Sequence, residues 1–291
     1  MLKSHSTSII SPKAIIGENV SIGPYCIIND NVNIGNNVEL KGHVYIDGNT
    51  SIGDNCKFYP FASIGTSPQD LKYKGEESKL IIGNNNIFRE YVTINPGTEG
   101  GGLVTKIGNN CLFMISSHVA HDCEIGDNVI LVNNASLAGH VVVEDFAIMG
   151  ALSGAHQFCR IGSLAMIGGL SAVHNDVVPY GLVSGNRAKL EGVNLIGLKR
   201  ASCSIESIKE LKQEIEEKYK ESEEELDAAK KKHENRGASA GVLNRDKMAN
   251  YIGELVKPGK FRTKFKSSVS GIMSKQATSN LSPSNIIGFY D

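Results

Sequence analysis

Large aliphatic or comparable residues recur at every sixth position, and this repeat leaves the chain few folds to adopt. The first run is Ile10, Ile16, Ile22, Ile28, Ile34, Leu40, Ile46, Ile52, Phe58 and Ile64. The second is Ile82, Phe88 and Ile94. The third is Ile107, Phe113, Val119, Ile125, Leu131, Leu137, Val143, Met149, Ala155, Ile161, Ile167 and Val173. The position two before each anchor is small; in the third run it begins Cys111, Ser117, Cys123, Val129, Ala135. Residues two apart in a strand face the same way. Each hexad therefore predicts one short strand with a large and a small residue inward, followed by positions that turn a corner and face out. Such hexads are the signature of a parallel β-helix. Three sides of six make a coil of about 18 residues, so the chain holds roughly eight coils, each touching only its neighbours. The pattern does not give the hand of the coil.

The expected fold class is mainly β, with a parallel β-helix over 1–186 and a helical region over 187–291. Two interruptions of the repeat, at 66–80 and 95–106, predict loops thrown outward from corners, where function often resides. Beyond Ser204 the composition changes. Ile205, Ile208, Leu211, Ile215 and Tyr219 stand at helical spacing behind Ser204 as N-cap. The remainder to Arg236 is nearly all charge, GASAG at Gly237 ends it, Asp246–Val256 predicts a second helix, and Gln276–Asp291 a disordered tail.

Composition narrows the function. A net charge of −1 argues against a nucleic-acid binder with a broad basic surface. No apolar run approaches the ~18 residues of a membrane span, and the N-terminus lacks a continuous apolar region, so no stable membrane insertion and a cytoplasmic protein are expected. Cys26, Cys56, Cys111, Cys123 and Cys159 share one repeat position and read as small buried residues, and no cysteine has zinc-site spacing.

Four histidines, His118, His121, His140 and His156, lie within Ser117–Cys159. The spacings of 19 and 16 residues from His121 to His140 and on to His156 are close to one coil, which lines them up near one edge. Folding does not need outward histidines there, so they mark a site. Zinc held by converging histidines is one chemistry; general acid–base catalysis is the other, because histidine titrates near neutrality. Spacing does not separate these. A metal-dependent hydratase of the hexapeptide carbonic anhydrase type and a non-catalytic scaffold are the competing readings. Asp122 is one coil before His140 and follows His121. Neighbouring strand residues face opposite ways, so Asp122 can orient His121 only if the corner turns it back.

The segments HVAHDCEIGDN, LAGHV, HQFCRIG, FASIGTSPQDLKYKGE and GVNLIGLKR closely resemble the UDP-N-acetylglucosamine acyltransferases of lipid A biosynthesis, over roughly Ile10–Arg200. The resemblance implies a left-handed β-helix, a homotrimer with sites between subunits, and no metal or other cofactor. It implies transfer of a 3-hydroxyacyl chain from acyl carrier protein to the 3-position of UDP-N-acetylglucosamine. By motif, His121 is the general base, with Asp122 its candidate partner, and the Gly139 N–H the oxyanion donor. His118, His140 and His156 would hold the sugar nucleotide. Gln69, Asp70 and Lys72 match a loop that reaches a neighbour's site, and Gln157, Asn194 and Arg200 match nucleotide contacts. Gly169, with Met166, falls at the acyl-chain ruler. Three positions depart from the family pattern: Arg187, where a histidine is expected, Ile196, where an acidic residue is expected, and Ala201, where an arginine is common. They bear on nucleotide contacts rather than on acyl transfer. The acidic carrier protein would favour basic residues, and Lys199, Arg200 and the run Lys257–Lys266 are candidates.

Overall fold

The structure is a computed structural model that describes residues 2–215 and 217. Expectations for Tyr219, the charged stretch to Arg236, Gly237, Asp246–Val256, Lys257–Lys266 and Gln276–Asp291 lie outside the described residues.

Of the described residues, 2–179 and 183–189 form one compact unit, and 180–182 with those from 190 onward belong to the other. The first is a parallel β-helix whose two-residue strands end on the anchors, as in Ile27–Ile28, Tyr45–Ile46 and His118–Val119. Every third strand pairs in parallel, so three sheets form the three faces. Anchor stacks on anchor: Ile28 on Ile46, Ile46 on Ile64, Val119 on Leu137, Leu137 on Ala155. These steps are 18 residues. Only at the two insertions does the step lengthen, Ile64 pairing with Ile94 and Ile94 with Val119. Strands Lys79–Ile82 and Val104–Ile107 extend to four residues and pair with each other, which takes the last residues of each insertion into the ladder.

Most corners are closed by a residue in the left-handed region, three past the anchor. On one edge this residue is repeatedly asparagine: Asn19, Asn37, Asn55, Asn85, Asn110 and Asn128 all have φ between 56° and 59°. Asparagine enters that region more cheaply than other L-residues with a Cβ. One position earlier the backbone N–H takes no part in coil-to-coil pairing. Proline stands there at Pro12, Pro24 and Pro60. Along the asparagine edge the next coil satisfies it: Asn36 N donates to Asp54 Oδ1 and Asn109 N to Asp127 Oδ1, both at 2.7 Å.

Anchors and small partners fill the interior, including all five cysteines predicted for it. Burial pushes the Cys111 and Cys123 thiols up to about 12, which makes them packing groups rather than nucleophiles. Phe58, Phe88 and Phe113 stack at centroid distances of 4.6 and 4.8 Å. Phe88→Ala is expected to destabilise the β-helix by about 3–5 kcal/mol, measured by denaturant unfolding at fixed protein concentration. A change under 1 kcal/mol, on the order of a surface substitution, would show the stack to be dispensable.

In the second unit Asn194 caps the helix Leu195–Arg200 by accepting from Gly197 N at 2.9 Å. Residues 205–215 are helical. Ser204 caps them as predicted, its Oγ accepting from Ser207 N at 3.1 Å. Val193, Leu198, Ile208 and Leu211 form this unit's own core.

Candidate active site

His121 and Asp122 occupy the second and third positions past anchor Val119, at a corner where side chains are expected to face out. Both are instead buried, at 6% and 7% exposure. The second insertion covers them. Asp122 is the left-handed corner residue, with φ 59°, and that conformation is what turns its side chain back towards its neighbour. Its Oδ2 accepts from His121 Nδ1 at 2.8 Å. A carboxylate can only accept, so Nδ1 carries the proton and Nε2 keeps a free lone pair. The carboxylate is held further by Thr98, whose N–H donates to Oδ1 at 2.9 Å and whose Oγ1 donates to Oδ2 at 2.6 Å. Asp122 N donates to Thr105 Oγ1 at 2.8 Å.

The histidine line is real but differs from a simple ladder. His140 meets His121 edge-on, centroids 5.0 Å apart, and its Nδ1 is 3.9 Å from Asp122 Oδ2. The ring stacked on the other face of His140 is Phe158, at 4.4 Å, not His156. The reason is register: His140 and Phe158 are each three past an anchor, whereas His156 is one past. His156 is exposed and faces His174 at 6.0 Å. His118 lies on the strand itself, half-buried, with Nδ1 2.7 Å from Thr93 Oγ1. Burial holds both His118 and His140 below the ordinary histidine value. For His140 the Asp122 charge works in the opposite direction. Both rings are thus neutral hydrogen-bonding groups near pH 7.

Gly139 is buried one coil along, two past anchor Leu137. A Cβ added there would come within 2.4 Å of His121 Cε1 and 2.6 Å of Nε2, so its backbone lies against the basic edge of the imidazole. Its N–H stands at the corner position that takes no part in coil-to-coil backbone pairing, and no hydrogen bond to it is found among the described residues.

The first insertion approaches the same edge. Asp70 and Lys72 are near enough to His140 for their charges to act on it, in opposite directions. Asp70 shapes its own loop, Oδ1 accepting from Lys72 N at 2.9 Å, while Gln69 is exposed. The two insertions brace each other: Glu76 Oε1 accepts from Glu99 N at 3.1 Å, and Asn95 Nδ2 donates to Thr66 O at 2.9 Å.

The other predicted positions of the first unit are not brought to this corner. Met166 and Gly169 belong to a different face, Gly169 being exposed two past anchor Ile167. Gln157 is exposed beside His156. Asn194, committed to its cap, and exposed Arg200 belong to the second unit. Arg187 and Ile196 are exposed and Ala201 is buried. The sequence reading missed Thr98, Thr105 and Thr93. Only Thr93 was legible, because Thr93 and His118 each precede an anchor by one and pair in register.

One atom from each of His121, Asp122 and His140 lies within 4.8 Å of the others, so the group could hold a metal ion by distance. The donor set fits acid–base work better. Asp122 already accepts three hydrogen bonds, two of them on the oxygen that would ligate, and His121 Nδ1 is spent on it.

A β-helix of hexapeptide repeats with a buried histidine–aspartate pair at one corner fits a hexapeptide-repeat acyltransferase. Residues 13–48 and 105–139 match the bacterial transferase hexapeptide family, and 176–251 match the family described as UDP-N-acetylglucosamine O-acyltransferase, domain 2. The acyl-[acyl-carrier-protein]–UDP-N-acetylglucosamine O-acyltransferase of Aliarcobacter butzleri is 58% identical over 215 residues, 74% of this chain and 83% of that one. Two solved structures are similar. LpxA from Acinetobacter baumannii is 41% identical with a TM-score of 0.73, covering 86% of this chain and 96% of that one. The UDP-N-acetylglucosamine acyltransferase of Campylobacter jejuni is 37% identical with a TM-score of 0.74, covering 87% and 96%. The chain belongs to the UDP-N-acetylglucosamine O-acyltransferase family, and its β-helix is left-handed. This membership disfavours the carbonic anhydrase and scaffold readings.

Proposed function

We propose that the protein transfers a 3-hydroxyacyl chain from acyl carrier protein to the 3-hydroxyl of UDP-N-acetylglucosamine, the first step of lipid A biosynthesis, with no metal or other cofactor. The observation that carries the mechanism is the buried His121–Asp122 pair lying against Gly139. His121 Nε2 takes the proton of the sugar hydroxyl as its oxygen bonds to the thioester carbonyl carbon. Asp122 holds the ring through Nδ1 and stabilises the imidazolium that forms. The Gly139 N–H donates to the oxyanion. Collapse breaks the carbon–sulfur bond, and the imidazolium returns the proton to the carrier's thiolate.

His118 and His140, neutral through burial, would hydrogen-bond the sugar nucleotide, with His156 and Gln157 further along the edge and Asn194 and Arg200 as the remaining nucleotide contacts. Asp70 and Lys72, with Gln69, would close over it. Gly169 and Met166 would bound the acyl chain. They lie on a different face from His121 within one chain, which supports a homotrimer with sites shared between neighbours. Among the described residues no helix is long and apolar enough to cross a membrane, in keeping with work in the cytoplasm on a carrier-borne donor.

The test is turnover by the purified protein with a panel of carrier-bound 3-hydroxyacyl chains and two acceptors, UDP-N-acetylglucosamine and its 3-amino analogue. Saturable transfer to the hydroxyl acceptor in the presence of a chelator is expected. No transfer to either acceptor, or activity that appears only on adding zinc, would overturn the proposal.

A further inference from the structure

We propose that Thr98 is a positioning residue that selects His121, rather than His140, as the partner of Asp122. The inference rests on the reading of His121 as the base. Two histidines compete for one oxygen: His121 Nδ1 is 2.8 Å and His140 Nδ1 3.9 Å from Asp122 Oδ2. An aspartate that turned about its last torsion would carry that oxygen away from His121. Thr98 prevents the turn by gripping both oxygens, the N–H on Oδ1 and the hydroxyl on Oδ2. Two donors from one residue fix the plane of the carboxylate as well as its place. Because Thr98 is 4% exposed, water does not compete for these bonds.

The insertion is shaped for this grip. Thr98 O accepts from Gly101 N at 3.0 Å and from Leu103 N at 2.9 Å, which folds residues 98–103 into a tight turn over the carboxylate. At Gly101 an added Cβ would fall 2.0 Å from Asp122 Cγ, so only glycine lets the turn close that far. Thr105, at the end of the same insertion, holds the backbone of Asp122. The repeat does not call for Thr98 or Gly101, whereas Thr105 fills the inward slot two before anchor Ile107 and serves both the core and the corner.

The experiment measures steady-state kinetics of the full chain with a 3-hydroxyacyl carrier protein and UDP-N-acetylglucosamine for Thr98→Val, Thr98→Ser, Asp122→Asn, the Thr98→Val/Asp122→Asn double variant and His121→Ala, with melting followed in each. Thr98→Val is expected to lower kcat roughly 10- to 100-fold, the range seen for groups that orient a functional side chain. KM should stay within about twofold and Thr98→Ser should recover most of kcat, because the threonine acts through the Asp122 carboxylate it holds. Thr98→Val should cost nothing further once Asp122 is asparagine, since it acts through that carboxylate. Should Thr98→Val melt far below the wild type, Thr98→Ala removes the same hydroxyl without a branched methyl and carries the same cycle. Wild-type kcat in the hydroxyl-less variant, or losses that multiply in the double variant, overturn the role of Thr98 while an inactive His121→Ala leaves the base in place. An active His121→Ala overturns the base itself.

Discussion

Replacing His121 with alanine is expected to lower kcat about a thousandfold, close to 4 kcal/mol of barrier, with the fold intact. A sugar hydroxyl is a poor nucleophile at neutral pH and must lose its proton as it attacks. His121 Nε2 is buried, oriented and free to take it, because Asp122 fixes the ring's proton on Nδ1. His118 is engaged by Thr93, and His140 offers no comparable carboxylate contact. The coil does not depend on the imidazole: the corner is tied to the next coil by His121 O accepting from His140 N at 3.0 Å, a backbone bond that alanine keeps. Steady-state kinetics with saturating acyl carrier protein substrate, alongside a thermal melt, check both halves. Activity within tenfold of the wild type, in a protein that melts normally, would remove His121 from the mechanism.

Gly139→Ala is expected to be nearly as damaging, by at least about a hundredfold in kcat, although it adds one methyl group on a different coil. That methyl would lie 2.4 Å from Cε1 and 2.6 Å from Nε2 of His121. Elsewhere a clash with the end of a side chain is relieved when the side chain swings away. Here the ring is pinned on its far side by Asp122, itself held by Thr98 and Thr105. The imidazole must move at its reactive edge, and displacement of a reacting group by about 1 Å costs on the order of a hundredfold. Gly154→Ala is the control: it sits in a neighbouring coil, where the added carbon would meet only Ser136 O at 3.8 Å. Equal kcat in the Gly139 and Gly154 variants would refute the account of Gly139 given above.

The β-helix was legible because its core makes the same demand every six residues, and each anchor lies in register with the next. The hand of the coil was not, since inward and outward positions alternate identically in either hand. The site was legible in part. The 18-residue step placed His121 beside His140, but a ring contact also depends on the slot within the corner, which is why Phe158 rather than His156 stacks on His140. Asp122 needed a left-handed φ to meet His121, and a one-dimensional alternation rule does not contain that angle. Thr98 was out of reach altogether: its meeting with Asp122 is made by a loop outside the repeat, so no spacing relates the two positions.

The uniform step between coils has a consequence for how such a chain can vary. Where the step is 18, as from Val119 to Leu137 to Ala155, one residue added or removed would move every later side chain into the wrong slot. Leu137 would leave the interior and His140 would leave its corner together. The segment through His121 and His140 therefore tolerates changes of letter far better than changes of count. Length can change only where the step is already broken, after Gly65 and after Ile94, and the second of these is where the chain folds back onto the Asp122 that holds His121. A descendant of this sequence could alter its loops by whole residues while the edge beneath them stayed in step.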